Sequence, residues 1–149
     1  MAELTVDGDS LSTIRSNILR NMHLGSLLVT ASGIFLGASG AYMIIAPESW
    51  YLLVPGVTAT GPFNSHFVID VALAYLVSAI GLVTAGVIAN RTLALQAASW
   101  PVAHALFHVL LWGHHGVPHG LAFIAESVAV LALGAIAGWG AWIIPKSPD

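Results

Sequence analysis

Four stretches of about twenty mostly apolar residues, at 24–45, 66–89, 93–113 and 120–144, leave this chain few ways to fold. At 1.5 Å of rise per residue, each is long enough as a helix to cross the roughly 30 Å hydrocarbon layer of a bilayer. Lipid offers no partner to backbone N–H and C=O groups, so a spanning segment must satisfy them internally. The prediction is an all-α fold, an integral membrane antiparallel four-helix bundle. Composition agrees: 57% of residues are hydrophobic and 7% are charged, against about 25% charged in soluble domains. One domain is expected at this length. It divides into a polar, amphipathic cytoplasmic tail over 1–23, a transmembrane domain over 24–145 and a short tail over 146–149. Residues 10–22 read as an amphipathic helix within the first tail, which lacks the apolar core and cleavage site of a signal peptide.

Turn chemistry marks the boundaries. Ala46-Pro47 ends the first span, the run Thr60-Gly61-Pro62-Phe63-Asn64-Ser65 precedes the second, and Pro145 closes the fourth. Asn90-Arg91-Thr92 and the segment 114–119 are short connections, whereas 47–65 is longer and is expected to lie along the interface. Arg15, Arg20, Arg91 and Lys146 then all fall on one side, which by the positive-inside rule is the cytoplasm. Both termini are therefore placed there, in a multi-pass protein of a bacterial inner membrane. Trp50, Trp100, Trp112, Trp139 and Trp142 read as interfacial anchors near span ends. The pairs Gly33/Gly37 and Gly134/Gly138 permit close helix packing, within the bundle or along a homo-oligomer seam. Four Lys and Arg residues and a net charge of −3 exclude nucleic acid as a partner. Without cysteine there is no disulfide or thiolate metal site.

Several ionisable residues interrupt the spans. Asp70, His104, His108 and Glu126 lie about 8 Å, 13–14 Å, 7–8 Å and 10 Å from the outer side at helical rise. They share one slab, and such residues in lipid normally face a partner, a metal, a cofactor or water. His66/Asp70 and His104/His108 are each four apart, and His119/Glu126 are seven apart, so each pair shares a helix face. The expected constellation is His66, Asp70, His104, His108 and Glu126, with His119 as an additional candidate and His114 and His115 above it.

Three chemistries fit these residue types. Imidazole plus carboxylate without thiolate suits copper(II), zinc or iron, held by His66, Asp70, His104, His108 and Glu126. A haem or chlorin ligated by His104 or His108, or a proton or ion pathway, is the second class. A hydrogen-bonded network that only pins the helices together is the third. No catalytic residue is assigned, because no nucleophile triad, phosphate cradle or His-Glu-x-x-His motif is present. We therefore expect a metal-handling protein or accessory subunit of a membrane redox complex, not a free-standing enzyme. The alternative is a structural subunit of a respiratory, photosynthetic or monooxygenase assembly, with no cofactor of its own.

The segment 47–76 carries VPGV at 54–57, TGPFN at 60–64, His66-Phe67, Asp70 and Ala74-Tyr75-Leu76, followed by HALFH at 104–108. This pattern resembles an uncharacterised family of small four-helix bacterial inner-membrane proteins. The resemblance covers about the last two thirds of the chain, and it implies a fold and a membrane but no activity. The family pattern has a basic residue just before the aspartate, where this chain has Ile69. A counter-ion for Asp70 is then missing, and pairing with histidine gains weight.

Overall fold

The computed structural model describes residues 8–146. Residues 1–7 and 147–149, which hold parts of both expected tails, lie outside the described residues. The described chain is helical, without a strand. Helix α1 (Gly8–Ile45) runs unbroken through the expected amphipathic segment into the first apolar stretch. A strap comes next, made of α2 (Pro47–Leu53) and a 3₁₀ turn (Val57–Thr60). Then come α3 (Ser65–Ile88), α4 (Arg91–His115) and a fourth long helix in three parts. Those parts are α5 (Gly120–Glu126), a π-helical segment (Ser127–Ala132) and α6 (Leu133–Ile143).

Local chemistry explains the boundaries. Pro47 sits in the first turn of α2, where its missing N–H costs nothing. Gly56, at φ +92°, takes the left-handed turn into the 3₁₀ segment. Asn64 and Asn90 cap α3 and α4, their Oδ1 atoms accepting from Phe67 N at 3.2 Å and Leu93 N at 2.9 Å. Four segments are long and apolar enough to cross a membrane: His23–Ile45, Ser65–Ile88, Arg91–His115 and Gly120–Ile143. Their outward faces carry large apolar side chains such as Leu27, Val77, Ile80, Val87 and Trp142, all well exposed, as lipid contact requires.

The helices form a ring in which α1 packs on α3 and α6, and α4 packs on α3 and α6. Small residues let them approach. A Cβ on Gly134 would come within 2.7 Å of both the Pro101 carbonyl oxygen and Ala105 Cβ, so only glycine fits there. Gly25 meets Gly140, Gly33 meets Ala79, Gly40 meets Ala72, and Gly86 meets Ser26 and Thr30. The glycine pairs noted in the sequence thus serve contacts within the bundle. Between these contacts, Val29, Leu36, Leu82, Ala85, Ala94 and Ala137 fill one core. A smaller cluster of Met43, Val68 and Ala72 lies under Trp50 of the strap. At the other end, the Arg91 guanidinium lies 4.6 Å over the Trp142 ring.

Candidate functional site

Helix α4 presents Trp100, His104, His108 and Trp112 at successive intervals of four, placing two indoles and two imidazoles along one stripe. Trp100 stacks on His104, with centroids 4.8 Å apart and planes 15° from parallel. Tyr75 of α3 meets Trp100 edge-on at 5.0 Å. His104 and His108 meet edge to face at 4.7 Å. Trp100 therefore lies mid-helix as a wall for His104, not at a span end as the sequence led us to expect.

The stripe ends on a carboxylate. His108 Nδ1 lies 2.9 Å from Glu126 Oε2, and Trp112 Nε1 donates to that same oxygen at 2.8 Å. An indole N–H can only donate, so Oε2 is an acceptor, and on that basis we assign the His108 proton to Nδ1. Nε2 is then left as an acceptor. His108 and Glu126 are 19% and 23% exposed, so water competes only weakly for this pair. No hydrogen-bond partner for His104 exists among the described residues; stacking alone holds its ring.

Glu126 is the last residue of α5, immediately before the π segment. A π turn adds a residue to the helical circuit and so rotates the helix before it by about 100° relative to the helix after it. That rotation lets α6 bury Gly134, Ala137 and Ala141 while α5 turns Glu126 towards α4. Such interruptions cluster at functional sites.

His104, His108 and Glu126 line a cavity of about 500 Å³ at the strap end of the ring. Its walls come from all four long helices and the strap. Gly56 seals one side: a Cβ there would lie 3.1 Å from Ala122 Cβ and 3.6 Å from Glu126 Oε1. Six aromatic residues, out of five Trp, three Tyr and five Phe in the chain, line the space: Phe35, Trp50, Tyr51, Phe67, Tyr75 and Phe107. A second depression of about 600 Å³, over 60–67, carries no titratable side chain and adjoins the cavity, with which it shares Thr60, Pro62, Asn64 and Phe67.

The other expected residues do not join. His66 Nε2 and Asp70 Oδ2 are 3.5 Å apart, but these side chains are 88% and 58% exposed. Phe67, Val68 and Val71 line the cavity, and positions 66 and 70 are each one residue, about 100° of helix, off that face. His119 is the exposed N-cap residue of α5, and His114 and His115 end α4 in the open. Among the described residues, no group of three or more His, Asp or Glu side chains comes together as a metal cage. The expected five-residue convergence is thus reduced to His104, His108 and Glu126. What the sequence reading missed was the aromatic frame: Trp100 and Trp112 were read as anchors, although their spacing of four from the histidines was visible. Comparison with family models, curated proteins and solved structures finds no match.

Proposed function

We propose that this is a membrane-embedded binding protein whose strap-end cavity holds a small lipophilic molecule against His104 and His108. The observation that carries this reading is the polar end of the cavity. Glu126 occupies His108 Nδ1, leaving Nε2 and both nitrogens of His104 with no hydrogen-bond partner among the described residues, in an otherwise largely apolar space. A volume of about 500 Å³ falls in the range of organic-ligand pockets, which pair apolar walls with a few convergent polar groups. Purification in a mild detergent, then solvent extraction and mass spectrometry, tests it. Wild-type protein should carry a stoichiometric organic molecule that is absent from Ala129→Trp, whose side chain fills the cavity. Equal extracts from both proteins would refute the reading.

In this proposal the bundle is antiparallel, with both termini in the cytoplasm of a bacterium and the cavity opening towards the periplasmic half. Supporting the antiparallel arrangement, the start of the membrane-length segment His23–Ile45 meets the end of α6 at Gly140 and the end of α3 at Gly86. Supporting the orientation, Arg91 and Lys146 lie at the end opposite the strap. Membership of the small inner-membrane family rests on the 47–76 pattern.

A transition-metal site is the second reading, favoured by one observation. A carboxylate on Nδ1 of His108 is the usual outer-shell support of a metal-bound imidazole. His104 and His108 would then be the protein ligands of copper, zinc or iron, with the remaining positions filled from outside the chain. Elemental analysis of wild type beside His104→Ala/His108→Ala decides it; equal, negligible metal in both removes this reading.

A further inference from the structure

The edge of the cavity reaches the outer surface of the bundle. Helix α1 packs along α6 but makes at most marginal contact with α5 and the π segment. Phe35 of α1 both lines the cavity and is 44% exposed. Phe67 and Phe107, also lining the cavity, are 63% and 51% exposed, so apolar side chains border the space on the outer surface and a lipid-soluble occupant suits it. The aromatic walls favour a flat ring, because ring faces and edges pack best on one another. The polar end then sets the substituents. With its proton on Nδ1, His108 has Nε2 free to accept a hydrogen bond, and in its uncharged form His104 offers one donor and one acceptor nitrogen. A ring hydroxyl answers the first.

We propose that the cavity binds the ring of a membrane quinol, with a ring hydroxyl donating to His108 Nε2 while Glu126 holds His108 in the accepting tautomer. This rests on the reading of the cavity as a lipophilic ligand site and narrows it to one chemical class. It also makes the site selective between redox states. A quinone has only carbonyl oxygens, which can use the single His104 N–H but give nothing to His108 Nε2. The quinol therefore binds more tightly than its quinone.

Titration calorimetry on the full chain in lipid nanodiscs, with decylubiquinol, decylubiquinone and dodecanol as probes, tests the proposal. Wild type should bind the quinol saturably and more tightly than the quinone. His108→Phe should weaken quinol binding by about three- to ten-fold, the range for a lost hydrogen bond between neutral groups, and should affect the quinone less. If His108→Phe does not fold, His108→Leu, which likewise has no acceptor, carries the same comparison. Ala129→Phe, checked for folding by its melting temperature, should abolish binding of both rings. Undiminished quinol affinity in the His108 variant, or dodecanol binding as tightly as the quinol, overturns the quinol assignment while leaving a lipophilic site in place. If Ala129→Phe binds every probe as wild type does, the cavity reading falls as well.

Discussion

Glu126 Oε2 accepts from both Trp112 and His108, so removing this carboxylate strands two donors at once. A donor left unpaired away from water costs about 1–3 kcal/mol, whereas losing one partner of a typical bond costs about 1 kcal/mol. Glu126→Ala should therefore lower thermal stability in detergent by clearly more than Trp112→Phe, measured by circular dichroism melts on both variants. Equal melting temperatures would mean that the pair is solvated and inert. At this scale the sequence announced His104, His108 and Glu126, because ionisable groups inside apolar runs stand out. The faces of α3 were not announced: apart from His66 the residues around Asp70 are apolar, so nothing in the pattern told which stripe met the bundle. His66 and Asp70 obey the same spacing rule as the α4 histidines, yet lie on an exposed face.

Among the elements, the joint between α4 and α6 is the tightest constraint. Gly134 faces the Pro101 carbonyl and Ala105, both too rigid to retreat. Gly134→Leu should destabilise the protein by about 1–3 kcal/mol through overpacking, again read from melting in detergent. The π segment carries a different prediction. Deleting Val128 allows α5 and α6 to join as one regular helix and turns Glu126 by about 100° relative to α6. Helical content by far-ultraviolet circular dichroism should then persist, while the quinol binding proposed at His108 should be lost. The π widening was not legible in the run Ser127–Ala132, whose residues suit an α-helix equally well. It exists because one helix has to satisfy a small-residue seam at one end and a carboxylate contact at the other.

For the molecule as a whole, the apolar lengths were decisive, and the four membrane-length segments fall within two residues of the sequence expectation at each end. Length is dictated by bilayer thickness, a single number that any spanning helix must meet. Which faces converge depends instead on packing that hydrophobicity does not encode, and the near-uniform apolar character of these helices hides it. Orientation can be tested directly, since the chain contains no cysteine. If the proposed topology holds, Thr58→Cys in the strap should react with a membrane-impermeant maleimide on cells whose outer membrane has been permeabilised, and Thr92→Cys should react only after lysis. The reverse pattern would invert the topology. One consequence concerns handling. Because every long helix contributes to the wall around the same 500 Å³ space, an occupant behaves as a keystone, and its free energy of association adds to that of the fold. Harsh detergents that strip it should shorten the protein's shelf life, and resistance to heating becomes a gauge of cargo retained.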